Sequence, residues 1–174
     1  MTSGGKGLIM RDIDLRIASS RDVYLVKARG RANFEYAVPL RELVRSLVTF
    51  ERFCVDLAEC TAMDSTFMGV LTMLALKGAK MGRKVEVLGA NDTLKKLLHD
   101  LGVGRLFAFE GVEAAPPELL NSLEAAAPDA TPLSGAETVK EAHESLVSAD
   151  SENAARFDSV IKFASEDVDR LKNK

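Results

Sequence analysis

The triplet Asp64-Ser65-Thr66 stands at the point in the chain where an extended apolar run gives way to a helical stripe. Upstream, Phe53-Cys54-Val55-Asp56-Leu57 is short, apolar and bounded by polar residues, the pattern of a strand buried on both faces. Downstream, Val70, Leu71, Met73, Leu74 and Leu76 recur with helical spacing until Gly82 stops the pattern. One of the triplet residues must therefore sit where the first helical N–H groups lack partners, a position that favours a short oxygen-bearing side chain. Taken alone, the triplet is a helix cap.

The segments around it alternate in the same way. Ile13, Leu15 and Ile17 alternate with Asp12, Asp14 and Arg16, the two-residue period of a strand with one wet face. Tyr24-Leu25-Val26-Lys27-Ala28 gives a second strand after the Ser19-Ser20-Arg21-Asp22 turn, so the two predict a hairpin at one edge of a sheet. Phe34, Leu40, Leu43, Val44 and Leu47 form a helical stripe, with Pro39 expected in its opening turn, where a missing N–H is harmless. Lys84-Val85-Glu86-Val87-Leu88 is a further strand, followed by a turn at Asn91 and a helix through Leu97 and Leu98. This order calls for an α/β fold, a mixed sheet with helices packed on it.

Beyond Gly111 the composition changes. Residues 111–133 hold four of the five prolines in Ala-rich surroundings and read as a mobile linker, in which Pro117-Glu118-Leu119-Leu120-Asn121 forms a helical turn at most. Ser134-Gly135-Ala136-Glu137 has the spacing of a capping box and opens a helix through Val139, Ala142, Leu146 and Val147. A second helix from about Glu152 carries Ala155, Phe157, Val160, Ile161, Phe163 and Val168. Two short amphipathic helices cannot bury both stripes alone, so they are expected to pack on each other and on another surface. The expected division is 1–110, a globular domain; 111–133, a linker; and 134–174, a helical extension. Residues 111–174 carry six Lys and Arg against thirteen Asp and Glu, a balance of −7, which leaves +4 for residues 1–110. Opposite signs predict that the extension lies against the domain.

Composition excludes several functions. Hydrophobic residues at 47% and charged residues at 28% are ordinary for a globular protein. The basic residues are dispersed and aromatics are only 6%, so no direct nucleic-acid role is expected. No run approaches a membrane span and Met1-Thr2-Ser3-Gly4-Gly5-Lys6-Gly7 lacks a signal-peptide core, which predicts a cytoplasmic protein without membrane insertion. Cys54 and Cys60 read as reduced structural thiols. His99 and His143 have no Cys, Asp or second His at ligand spacing, and Ser65 has no His within reach of its motif, so no metal site, cofactor or catalysis is expected. Met63, Met73 and Met81 read as core filler, with Met68, beside Ser65, the exception.

The order of elements from about Asp22 to Phe109, with its Asp-Ser-Thr helix start, resembles the STAS domain of bacterial anti-sigma factor antagonists. Gly30-Arg31-Ala32-Asn33 stands where that family often has a Gly-Glu-Leu-Asp turn, and Leu98-His99-Asp100-Leu101-Gly102-Val103-Gly104-Arg105-Leu106-Phe107 is similar to its closing helix and strand. The resemblance implies a STAS-like mixed sheet of four to five strands with helices packed on it, plus a C-terminal pair of helices. It implies a phosphoacceptor at Ser65, with Thr66 the alternative, and a partner-binding rim of Asn33, Asp64, Thr66, Phe67, Met68 and Gly69. Two departures stand out: Phe67 replaces the first glycine of the usual Gly-Leu-Gly, and Asn33 replaces a common Asp. Bacterial STAS proteins with a helical extension are similar at Ala142-His143-Glu144-Ser145-Leu146 and Asn153-Ala154-Ala155-Arg156-Phe157.

The function implied is a phospho-switch in partner switching. Unphosphorylated Ser65 docks an anti-sigma factor that is also a serine kinase, phosphate abolishes docking, and a serine phosphatase resets the switch. A phosphoryl group adds about −1.5 to −2 charge, which a helix N-terminus holds without unfolding. The alternative is a constitutive STAS scaffold or interaction module, in which Ser65 only caps the helix. A second copy of the chain is a further partner to consider.

Overall fold

The computed structural model describes residues 13–127 and 130–174. The Met1–Gly7 stretch, Asp12 and the linker residues Pro128 and Asp129 lie outside the described residues. The chain forms a mixed sheet with helices packed on it. β1 (Leu15–Ser20) and β2 (Val23–Ala28) make the expected antiparallel hairpin, turning at Arg21 with φ 58°. β4 (Arg52–Asp56) and β6 (Val85–Leu88) add in parallel to β2, and β7 (Phe107–Ala108) adds in parallel to β6. β8 (Glu124–Ala125) pairs antiparallel with β1, giving six strands in the order β7-β6-β4-β2-β1-β8. The sixth strand comes from the linker, so the hairpin does not end the sheet.

The helices follow the sequence signals with shifted starts. α1 (Phe34–Ser46) begins at an Asn33 cap, so Pro39 lies inside the helix rather than in its opening turn. α2 (Ser65–Lys80) and α3 (Asp92–Asp100) are capped by Asp64 and Asn91. Beyond α2, Gly82 adopts φ +73°, a left-handed conformation that glycine supplies at no steric cost. A short α4 (Pro117–Leu120) is the helical turn expected of Pro-Glu-Leu-Leu. α5 (Pro132–Ala149) starts at Thr131, with Thr131 and Ser134 closing the capping box; Ser134 is the third helical residue and not the cap. α6 (Asn153–Lys172) ends at a C-cap on Asn173.

Each sheet face is covered by a different part of the sequence. Phe53 and Val55 of β4 join Val26, Val85 and Val87 in the main core with α1 and α2, whereas Cys54 points to a second cluster with Leu25, Ala18, Ala115 and Leu119. The strand is thus buried on both faces, as its unbroken apolar run predicts. The second face is covered by the segment read as a mobile linker, which lays Ala115 and Leu119 on the sheet and pairs β8 with β1. Arg52 holds it there by donating to the carbonyls of Glu113 at 2.6 Å and Ala114 at 3.3 Å. Both cysteines are free and buried, and burial pushes the Cys54 thiol up to about 11, which keeps it protonated and inert.

A candidate docking edge and the helix that covers it

Two short strands outside the main sheet position the Asp-Ser-Thr motif. The chain leaves β4 at Asp56, turns, and forms β5 (Cys60–Met63) in parallel with β3 (Gly30–Ala32). The sequence gives this ribbon no signal beyond turn-like residues, because three and four residues are too few to express a period. Ala32 pairs with Met63, and the Asp64 N–H donates to the Ala32 carbonyl at 3.1 Å. The next residue of each strand caps a helix: Asn33 Oδ1 accepts from Glu35 N–H at 2.9 Å, and Asp64 Oδ1 accepts from Phe67 N–H at 2.8 Å. Two capped helix N-termini therefore lie side by side. Asp64 performs the capping, which leaves the Ser65 hydroxyl free of that task.

That hydroxyl bonds to His143 of α5. Ser65 Oγ and His143 Nε2 are 2.9 Å apart, and His143 Nδ1 is 2.7 Å from the Val139 carbonyl. A carbonyl can only accept, so Nδ1 carries the proton, Nε2 accepts, and Ser65 donates. The expectation that Ser65 has no histidine within reach is overturned: His143 lies 78 residues away in sequence and is brought in by the extension. The imidazole is only 2% exposed and its ring packs on Phe157 at 4.9 Å between centroids. Burial holds its pKa below the usual 6.5, although the Val139 hydrogen bond and the Asp64 charge pull the other way. His99, by contrast, is exposed.

Next to Ser65, α5 crosses α2 at a distance only glycine permits. A Cβ on Gly69 would lie 2.4 Å from the Ala142 carbonyl oxygen and 2.7 Å from the Ala142 Cβ. On the other flank, Arg41 of α1 has a side chain 1% exposed and forks onto Glu141, with Nε to Oε1 at 2.9 Å and Nη2 to Oε2 at 2.8 Å. Glu137 at 3.5 Å and Glu42 at 3.0 Å complete its surroundings. Burial raises the Glu141 carboxyl, but the Arg41 hydrogen bonds outweigh it and leave its pKa lowered. The acidic extension thus meets the basic domain at a specific ion pair, as the opposed charges predict.

The turn between α5 and α6 is fastened to the end of α3. Asn153 Nδ2 donates to the carbonyls of Leu101 at 2.8 Å and Leu146 at 2.9 Å. Arg156 reaches the Asp100 carbonyl at 3.1 Å and Arg105 the Ala149 carbonyl at 2.8 Å. Of the residues singled out in the extension, Ala142, His143, Asn153 and Arg156 contact the domain and Leu146 is buried in its core, beside the Glu141 ion pair. The apolar stripe of α6 is less faithful: Ala164 and Val168 are buried, but Ala155 is exposed and Phe163 is 64% exposed.

The expected rim residues fall into two groups. Asn33, Asp64 and Ser65 are partly exposed at the edge of the ribbon, whereas Thr66, Phe67, Met68 and Gly69 are buried. Phe67 has no exposed surface and its ring meets Tyr36 edge-on at 6.4 Å, so the large side chain in place of the usual glycine folds into the core. Met68, at 6% exposure, belongs to the same core, as does Met63. Among the described residues no group of three or more His, Cys, Asp or Glu is arranged to hold a metal ion, and no helix is long and apolar enough to cross a membrane.

A family profile described as "Mlab, STAS domain" matches residues 15–109, more than half of the 174-residue chain. Comparison with curated proteins gives no match. Among solved structures, the unphosphorylated form of the anti-sigma factor antagonist SpoIIAA is similar at a TM-score of 0.49 and 11% identity, over 62% of this chain and 94% of that one. A sulfate transporter family protein from Wolinella succinogenes is similar at 0.43 and 21%, over 48% and 70%. From β1 to the Phe107-Ala108-Phe109 strand end, with the Asp-Ser-Thr start of α2 inside that span, the chain belongs to the STAS domain family.

Proposed function

We propose that the protein is a partner-switching module: its Ser65 edge docks an anti-sigma factor of the serine-kinase type, and phosphorylation of Ser65 ends that docking. A serine phosphatase resets it, and the chain acts by binding rather than by catalysis, in the cytoplasm. The observation that carries this reading is the position of Ser65. It is the first residue of α2, relieved of capping by Asp64, on a rim shared with the Asn33-capped α1. A phosphoryl group there faces the positive end of the α2 dipole, which holds it without unfolding α2, and it replaces the proton that Ser65 donates to His143 of α5. Thr66 is a poorer acceptor because it is 8% exposed. The Ser65–His143 pair does not favour catalysis: His143 rides on the extension, buried against Phe157, with Nδ1 committed to its own helix.

Mass spectrometry of the protein from its native cells tests the reading. Phosphate on Ser65 between Met63 and Leu74 is the expected result, and Ser65→Ala should bind its partner constitutively. Ser65 unmodified under all growth and stress conditions would overturn the switch. One observation favours the second reading, a constitutive STAS scaffold: the Ser65 hydroxyl already has a structural task in bonding His143. In that case Ser65→Ala would change partner binding little and only loosen α5.

A further inference from the structure

Phosphate on Ser65 upsets the hydrogen bonding inside the α2–α5 contact. His143 is 2% exposed; its Nε2 accepts the Ser65 proton at 2.9 Å, and its Nδ1–H donates to the Val139 carbonyl at 2.7 Å. When a nucleoside triphosphate supplies the phosphoryl group, the Oγ–P bond forms as the donor's bond to its diphosphate breaks, and the hydroxyl proton leaves Oγ. A neutral Nε2 would then face phosphate oxygens, acceptor against acceptor, and a buried polar atom without a partner is costly. The mismatch is relieved if α5 withdraws, or if Nε2 takes a proton and donates to the phosphate. Withdrawal would expose Ala142 and Leu146, both without exposed surface, and would break the Arg41 fork on Glu141. Protonation leaves all of these in place. Nδ1 is a donor in both ring states, so Val139 keeps its bond.

We infer that His143 is the internal ligand of phosphate on Ser65: as an imidazolium it donates Nε2–H to a phosphoryl oxygen, and α5 stays seated on the phosphorylated domain. The inference rests on the reading of Ser65 as the phosphoacceptor and names the group that receives the phosphate. Ser65 is only partly buried, so the phosphoryl group has room towards solvent with one oxygen turned to the ring. Burial holds the unmodified imidazole neutral, while the Val139 bond and the Asp64 charge at the start of α2 favour its protonation. Phe157 of α6 brings no charge to the ring, and Glu141 beside it on α5 is committed to Arg41. A phosphate of about −1.5 to −2 charge within hydrogen-bond distance adds the opposite charge that the buried ring lacks. Phosphorylation then alters the charge of the rim without removing its cover.

The test compares the full-length chain carrying genetically encoded phosphoserine at position 65 with the unmodified chain. There are two histidines, and His99→Gln assigns their imidazole nitrogen signals. In the phosphorylated chain the His143 titration should move up by about one pH unit or more, as an opposite charge at that range produces, with both ring nitrogens protonated at neutral pH. The phosphorus titration should fall below its ordinary value of about 6. Amides of 132–149 should exchange at least as slowly as in the unmodified chain. His143→Gln should return the phosphorus titration to its ordinary value, and if that variant misfolds, visible by circular dichroism, the two unsubstituted chains decide alone. A His143 that stays neutral beside phosphoserine overturns the inference. So does exchange of 132–149 roughly tenfold faster with phosphate present, which would mean that α5 withdraws. The encoded phosphate tests the pairing whether or not native cells modify Ser65, so mass spectrometry of the native protein bears on the switch alone.

Discussion

The two sides of α2 are made for different purposes. One side carries Phe67, Val70, Leu71 and Leu74, all fully buried in the core shared with the sheet. The other meets α5, whose Ala142 and Leu146 are also fully buried in that core, and adds a hydrogen bond at Ser65 and a close backbone approach at Gly69, supported by a buried ion pair from α1. Apolar burial is roughly proportional to area and tolerant of register, whereas paired polar groups stabilise a single arrangement and can be re-solvated when it opens. The first side should therefore fail with the whole domain, and the second should fail alone.

The largest effect should come from the apolar side. Phe67→Ala removes a fully buried ring and its edge-on contact with Tyr36, and should cost about 3–5 kcal/mol of global stability in urea unfolding. Loss confined to the extension would break the distinction between the two faces. Gly69→Leu should do the converse. Its Cβ would meet the Ala142 backbone, which cannot turn aside as a side chain can. Hydrogen exchange should show amides of 132–172 losing protection while β2, β4 and β6 keep theirs. Arg41→Gln comes next, and should shift closure of α5 by about 1.5–3 kcal/mol, the range for hydrogen bonds to charged groups, read by the same exchange. Arg41→Lys should recover little of it, because an ammonium cannot reproduce the fork on Glu141.

Much of this division was legible in the sequence. The apolar run Phe53–Leu57, the stripe from Val70 to Leu76 and the hairpin around Arg21 express two periods that burial imposes directly, so sheet and helices follow from pattern. The β3–β5 ribbon did not follow, being shorter than any period. Nor did the cover on the second sheet face: Ala115 and Leu119 are isolated apolar residues in a Pro- and Ala-rich stretch, and their burial depends on Leu25 and Cys54 opposite them. At the site, Asp64, Ser65 and Thr66 announced a helix start, but which residue caps it is decided by rotamer geometry. The Ser65–His143 bond was hidden because a tertiary contact across 78 residues leaves no local spacing to detect. The signal that did exist was the Ala-His-x-x-Leu pattern, which marks the anchoring turn of α5.

A smaller effect separates Asp64 from Ser65. Asp64→Ala removes the cap of α2 and should cost about 1 kcal/mol of domain stability. Ser65→Ala leaves that cap intact and instead strands the His143 acceptor, so its cost, about 1 kcal/mol, should fall on closure of the extension. Domain stability from thermal unfolding and exchange in α5 should therefore respond to different members of the pair. Identical responses would mean that the edge and its cover behave as one cooperative unit.

The mildest test uses pH alone. Burial keeps His143 neutral below its ordinary value of 6.5 while α5 is closed, with Ser65, the Val139 carbonyl and Phe157 around it and the Asp64 charge nearby. Lifting the extension returns the imidazole to water, where its pKa is about 6.5. The open form therefore binds more protons below that value, so closure is at full strength above pH 6.5 and is lost as pH falls from 6.5 towards the depressed value of the closed state. Exchange protection in α5 and α6, corrected for intrinsic rate, should decline over that window. His143→Gln should flatten the decline, and His99→Gln, at the exposed second histidine, should leave it unchanged. A decline that survived His143→Gln would assign the pH response to the carboxylates around Arg41, and the ion pair would then govern the extension more than Ser65 does.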